Sequence, residues 1–136
     1  MHEKRIMHRD LKPENIMLRN DNDWECVIGD FGLATHADAK DYIYTRCGTP
    51  GYVAPEISNL KSCGERYDPV CDIFSVGVIF HILTTGKSPF PGKEADEVLQ
   101  QNRKCKINYD DPIYKKLHPV CKLTHNLGLN LMMKML

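Results

Sequence analysis

Asp68-Pro69 opens and Gly86 closes the stretch that most limits how this chain can fold. Aspartate is favoured as a helix N-cap and proline at the first helical position, and glycine commonly ends a helix. Between them, Ile73, Phe74, Val76, Val78, Ile79, Phe80, Ile82 and Leu83 fall on all sides of a 3.6-residue period. That pattern predicts a helix buried on every side. Its most apolar part, Ile73 to Leu83, is too short to span a bilayer. The rest of the chain is therefore expected to wrap around it in one domain, which a length of 136 residues allows. A hydrophobic fraction of 42% supplies a core and argues against global disorder.

Formal net charge is zero, which points to neither nucleic acid nor an anionic membrane as the main partner. Six cysteines occupy positions 26, 47, 63, 71, 105 and 121, without Cys-x-x-Cys or His-x-x-x-His spacing. A zinc site is poorly supported, and reduced, structural thiols are expected, as in the cytoplasm or nucleus. The opening Met-His-Glu-Lys-Arg lacks the apolar stretch of a signal peptide.

Either side of the long helix the elements are shorter. Ile16-Met17-Leu18 and Cys26-Val27-Ile28 read as two strands of a hairpin around the turn chemistry of Asn20-Asp21-Asn22-Asp23. Residues 33–47 are polar and keep no helical or strand period, which predicts a mobile loop. Ser88 to Gly92 reads as a loop, and Glu94 to Lys104 as a surface helix with Val98 and Leu99 inward. Residues 105–123 read as irregular. Thr124 is placed as the cap of a last helix whose Leu127, Leu131 and Met135 form a core stripe.

The densest chemistry lies in His8-Arg9-Asp10-Leu11-Lys12-Pro13-Glu14-Asn15. Asp10 is able to take a proton from a hydroxyl, and Lys12 to meet negative charge on a transferring group. Asn15 offers a neutral oxygen to a hard divalent cation, and Pro13 stiffens the turn between them. Asp30-Phe31-Gly32 follows, then Gly48-Thr49-Pro50-Gly51-Tyr52-Val53-Ala54-Pro55-Glu56. In this order and at these gaps, the three motifs resemble the catalytic loop, the magnesium-binding triplet and the Ala-Pro-Glu segment of eukaryotic protein kinases. The run from Thr45 through Cys47 to Glu56 is similar to the calcium/calmodulin-dependent kinase group.

The resemblance implies an α+β, protein-kinase-like fold: a mainly helical C-terminal lobe with a short β-hairpin at the catalytic site. It implies ATP and Mg2+ as cofactors and the Ser/Thr hydroxyl of a protein as acceptor. Asp10 matches the base that orients that hydroxyl, and Lys12 the lysine that meets the γ-phosphate. Asn15 and Asp30 match the two metal ligands. Met17 matches the apolar side chain under the adenine, and Glu14 is grouped with these nucleotide-side residues. As an acid, Glu14 is also a candidate to favour a basic residue near the acceptor. His8 and Phe31 match a packing pair, so His8 is not expected to shuttle protons. Asp72 matches the aspartate that holds the catalytic-loop backbone. Lys12 and Thr49 favour serine and threonine over tyrosine. Arg9 matches the arginine that grips an activation-loop phosphate, for which Thr45 is the candidate, modified by an upstream kinase. Calcium control, if present, is expected to reside outside these residues, since no EF-hand loop or basic calmodulin-type helix is visible.

Parts of the family pattern are not found: a Gly-x-Gly-x-x-Gly loop, a Val-Ala-x-Lys strand, and the arginine that pairs with Glu56. The expectation is a partial catalytic domain over 1–136, with the N-terminal lobe absent and residues 1–7 as the last turn of a long helix. Such a chain is expected to be inactive and poorly stable by itself. The alternative is a non-catalytic lobe acting as a docking or decoy module. An unrelated metal-dependent hydrolase has only the Asp and Asn ligands in its favour.

Overall fold

The computed structural model describes residues 1–20, 24–62 and 65–121. The N-terminal segment departs from the expected helical turn. A 3-10 turn over His2–Lys4 ends at Arg5, which adopts a left-handed φ of 58°. Strand β1 (Ile6–Met7) follows. The expected hairpin is present as β2 (Ile16–Leu18) and β3 (Cys26–Ile28), antiparallel, with Ile16 opposite Ile28 and Met17 opposite Val27. The loop expected over 33–47 holds one more strand, β4 (Thr35–His36), which pairs antiparallel with β1. Among the described residues the strands thus form two separate two-stranded ladders. Residues 8–15 follow β1 and lead into β2, and the triplet at 30–32 lies between β3 and β4.

A single helical turn, α1 (Pro55–Ser58), starts at the proline of the Ala-Pro-Glu motif. The long helix, α2 (Val70–Thr85), begins one residue later than its sequence signals predict, with Pro69 as the N-cap residue. The Asp68 carboxylate still caps the start, accepting from Val70 N at 2.8 Å. Gly86 closes the helix at φ 70°. Burial on every side does not hold. Cys71, Asp72, Phe74, Ser75, Val78, Ile79 and His81 are buried, but Ile73, Val76 and Leu83 are exposed. The packed face is the one turned to the 46–67 segment and to Phe90, whose ring stacks on Phe74 at 6.0 Å. Met7, Ala37, Val53, Ile57, Tyr67 and Val78 complete that core.

The surface helix is α3 (Ala95–Lys104), with Glu94 as N-cap. Val98 and Leu99 are half-buried, and Asn102 is fully buried beside them. The stretch expected to be irregular contains a short turn of helix, α4 (Pro112–Lys115), capped by the Asp111 side chain. The predicted last helix from Thr124 lies outside the described residues. No helix among the described residues is long and apolar enough to cross a membrane.

Candidate active site

The site starts from one buried carboxylate on α2. Asp72 Oδ2 accepts from His8 N at 2.7 Å and from His2 Nε2 at 2.8 Å, and its Oδ1 accepts from Arg9 N at 2.8 Å. Two adjacent backbone N–H groups, which a tight loop leaves without strand partners, are thereby satisfied in the interior. Arg9 has φ 71°, a conformation that costs a non-glycine residue about 1 kcal/mol or more. Its side chain holds it there: Nε donates to Leu33 O, and Nη1 to Tyr44 O and to the Tyr67 hydroxyl. The guanidinium also lies 5.4 Å from the Tyr42 ring centre. Arg9 thus ties the catalytic loop to the segment that contains Thr45.

His8 joins the loop to the triplet. Its Nε2 donates to Gly29 O at 2.9 Å, and its Nδ1 accepts from Asp10 N at 3.3 Å. The imidazole packs edge-on to Phe31, centroids 5.1 Å apart. Both ring nitrogens are spent on backbone, which leaves none for a proton relay. Gly29 N also donates to Asn15 O at 2.8 Å, extending the β2–β3 ladder by one step. These bonds set the backbone before Asp30 against the end of the catalytic loop. Asp30 has φ 55° and caps the turn Phe31–Leu33 by accepting from Gly32 N. Its side chain is exposed.

Asp10, Lys12 and Thr49 form a closed triangle. Thr49 Oγ1 donates to Asp10 Oδ1 at 2.6 Å; Lys12 Nζ donates to Asp10 Oδ2 and to Thr49 Oγ1, each at 2.9 Å. Asn15 Nδ2 donates to the Asp10 carbonyl at 2.9 Å, so the amide donor is the atom turned to the loop backbone and Oδ1 is the acceptor atom of that side chain. Burial is the largest influence on Asp10 and works to raise its pKa. The Thr49 and Lys12 hydrogen bonds and the lysine charge outweigh it and hold the carboxyl below its ordinary value. Lys12 is pushed up in turn, first by its bond to Asp10, against some desolvation, then by the charges of Asp10, Glu14 and Asp30. The ammonium therefore sits in the field of all three acids.

Thr49 reaches this triangle because Gly48 permits close approach. Gly48 has φ 108°, and a Cβ there would lie 2.7 Å from Arg9 O and 2.9 Å from Val53 Cγ2. The following residues are held from behind. Asn102 Nδ2 donates to Val53 O at 2.8 Å and its Oδ1 accepts from Gly51 N at 3.1 Å, while Ser75 Oγ donates to Tyr52 O. Sequence reasoning missed Asn102. The available signal was its place four residues after Val98 and three after Leu99, on the inward stripe of α3.

The remaining predicted residues are dispersed. Glu14 is exposed on the turn Pro13–Asn15, and Met17 is half-exposed on β2. Thr45 is half-buried and lines a cavity of about 420 Å³ with Arg46 and Lys61. Glu56 is partly buried; desolvation, helped by the Asp68 charge, lifts its carboxyl above the ordinary range although its own backbone N–H works the other way. Among the described residues it has no ion-pair partner.

Among the described residues no three His, Cys, Asp or Glu side chains gather as a metal cluster. The oxygen donors expected for a metal are the carboxylate of Asp30, which is exposed, and the amide oxygen of Asn15, which is buried. Hard oxygen donors in that small number fit Mg2+, which is usually held by one or two side chains together with waters and phosphate oxygens.

The protein kinase domain family matches residues 1–136. The chain is 38% identical over 124 residues to calcium-dependent protein kinase 4 of Plasmodium falciparum, covering 90% of this chain and 22% of that protein. It is 38% identical over 128 residues to calcium/calmodulin-dependent protein kinase type 1 of Caenorhabditis elegans, covering 92% and 35%. Over 113 residues it is 42% identical to myosin light chain kinase A of Dictyostelium discoideum, covering 82% and 36%. The chain thus spans roughly a fifth to a third of the length of these relatives.

Proposed function

The chain belongs to the protein kinase family, and on that footing we propose that it supplies the acceptor side of a site moving the γ-phosphate of ATP to a protein serine or threonine. The observation that carries the reading is the Asp10–Lys12–Thr49 triangle with Asn15 on its floor. Two carboxylate lone pairs are committed to Thr49 and Lys12, and others remain to receive the substrate hydroxyl. An Asp10 held below its ordinary pKa is a weak base near neutral pH. That suits a loose phosphoryl-transfer transition state, in which the acceptor must be aimed more than deprotonated. Asp10 accordingly orients the hydroxyl and takes its proton late.

Lys12 sits between that carboxylate and the incoming phosphoryl oxygens, where its charge offsets theirs without a change of protonation. Asn15 Oδ1 and Asp30 would hold Mg2+, which when bound neutralises phosphate charge. Met17, exposed on β2, is assigned to the adenine side. Lys12 and Thr49, bonded to each other and to Asp10, are assigned to the choice of serine or threonine over tyrosine as acceptor.

Regulation is assigned to Thr45. It follows Tyr44, whose carbonyl Arg9 already holds, and it shares a cavity with Lys61. A phosphate added there by an upstream kinase would compete for Arg9 and for the Lys61 ammonium, re-setting the segment that carries Thr49.

The test is phosphotransfer to a serine peptide by the full-length protein, with and without Asp10→Asn. Turnover is expected to fall by about 10²–10⁴, with nucleotide binding retained. Undiminished turnover in the variant removes Asp10 from the reaction and the proposal with it.

A further inference from the structure

A cavity of about 640 Å³ lies where the end of α2, the segment after α3 and the start of α4 meet. That volume falls within the range of about 300–1,000 Å³ usual for small-molecule sites. Its apolar lining consists of rings and branched chains: Pro89, Pro91, Ile107, Ile113 and the ring of Tyr114. Its ionic lining is unequal. Lys87 enters from the turn after α2 and Lys106 from the segment after α3, against the single acid Asp111. Both lysines are exposed, and neither makes an ion pair among the described residues.

The walls are held in place by bonds that need no ligand. His81 is buried on α2. Its Nδ1 donates to Lys87 O at 3.0 Å, and its Nε2 accepts from the Tyr114 hydroxyl at 2.7 Å. The end of α2 is thereby joined both to the turn that carries Lys87 and to α4. Asp111 Oδ1 accepts from Ile113 N at 2.9 Å, which fixes the first turn of α4 and commits one carboxylate oxygen. Burial pushes the His81 imidazole below its ordinary pKa, against the pull of the Lys87 carbonyl, so the ring is uncharged near neutral pH. Two positive side chains against one negative leave the lining with one unit of positive charge. A carboxylate balances that charge, whereas a phosphate monoester brings nearly two negative charges.

We propose that this cavity binds a small organic carboxylate with a flat apolar body, the body against Pro89, Pro91 and Tyr114 and the carboxylate toward Lys87 and Lys106. None of the residues assigned to phosphotransfer lines it, so the inference does not rest on that reading. A compact ligand suits the walls better than a peptide strand does. Two of the walls are prolines, which offer no N–H to a peptide backbone. A neutral analogue would fill the same space and leave the lysines unmet. A cationic one would face two like charges. A preformed cavity also spares the ligand most of the cost of ordering its site.

The experiment titrates three matched probes into the full-length protein by calorimetry: 2-naphthoate, its carboxamide and the corresponding naphthylmethylamine. A non-hydrolysable ATP analogue fills the nucleotide site throughout, so that the probes do not report on it. The carboxylate is expected to bind about tenfold tighter than the carboxamide, the scale of one charge-assisted hydrogen bond. Replacing both lysines, Lys87→Gln with Lys106→Gln, should cut that gap to about twofold. The pair Lys87→Glu and Lys106→Glu should turn the preference toward the amine. These are exposed positions, so the variants are expected to fold, and a thermal melt checks that they do. Ile113→Trp, which fills the cavity, should weaken all three probes by tenfold or more. Equal binding of carboxylate and carboxamide, or a carboxylate preference that survives the two glutamates, overturns the assignment. So does a glutamate-rich peptide that binds through the same lysines when 2-naphthoate does not, because the face would then serve a protein partner.

Discussion

The catalytic loop and the Ala-Pro-Glu turn are neighbours in the core, yet they treat their polar groups in opposite ways. Around residues 8–15, Asp72 answers two backbone N–H groups and His2, the two His8 nitrogens answer backbone, and Asp10 is held by Thr49 and Lys12. Around residues 54–58, Ala54, Pro55 and Ile57 are as well buried, but the Glu56 carboxylate has no ion pair among the described residues and the Ser58 hydroxyl has no partner. Apolar packing alone does not distinguish the two. The difference is that the loop draws its partners from Asp72 on α2, from the Gly29 backbone after β3 and from Thr49, whereas the turn has no such partner near Ser58 or Glu56 among the described residues. A segment whose polar groups are all met is fixed in geometry before any ligand arrives. A segment with unmet groups carries an uncompensated desolvation cost.

The largest test of this contrast is Asp72→Ala. It strands two buried N–H groups at once, so a loss of about 3–5 kcal/mol in unfolding free energy is expected, read by denaturant titration of the full-length protein. A loss below about 1 kcal/mol would mean that the loop is not held from α2. Asn102→Ala comes next. It releases Gly51 N and Val53 O, both behind Thr49, and should cost about 2–4 kcal/mol. Asn102→Asp keeps one acceptor but loses the donor to Val53 O, and should recover only part. Thr49→Val is smaller, about 1–1.5 kcal/mol, since Lys12 still holds Asp10. Its clearer signature is the Asp10 carboxyl, whose titration by NMR should move up once the hydroxyl donor is gone.

What the residues alone conveyed, and what they did not, follows the same division. The motif at 8–15, the triplet at 30–32 and the 48–56 segment carry dense local chemistry, so their positions were readable and the hairpin at 16–28 fell between strong turn signals. The β1–β4 ladder was not readable, because strands of two residues have no period to detect. The uneven burial of α2 was also hidden. Its apolar residues lie all round, and only the fold shows that Phe74 and Val78 face the core while Ile73 and Val76 do not. Asn102 hid for a third reason: a buried amide looks like a surface residue until its two backbone partners, from a segment about fifty positions earlier, come into view. The Ser58 hydroxyl is the same problem inverted. Nothing in Pro-Glu-Ile-Ser marks that serine as buried and unpaired.

The smallest prediction sharpens the comparison most directly, because the two regions should respond to pH with opposite sign. Asp10 is held below its ordinary value, near 3.8, so its contribution to stability is complete above that value and is lost as pH falls through its lower folded-state value. Glu56 is raised above its ordinary value near 4.5. Between 4.5 and its folded value, the folded chain keeps a proton that the unfolded chain has released, so stability falls as pH rises through that window. Glu56→Gln removes the second slope and leaves the first. The variant should match the parent at about pH 4 and exceed it near pH 7.5 by under about 1 kcal/mol, because a half-buried carboxylate retains some water. Thermal melts of both proteins across that range give the answer. If the variant is instead less stable than the parent near neutral pH, Glu56 has an ionic partner in the folded protein, and the turn is as fully satisfied as the loop it was contrasted with.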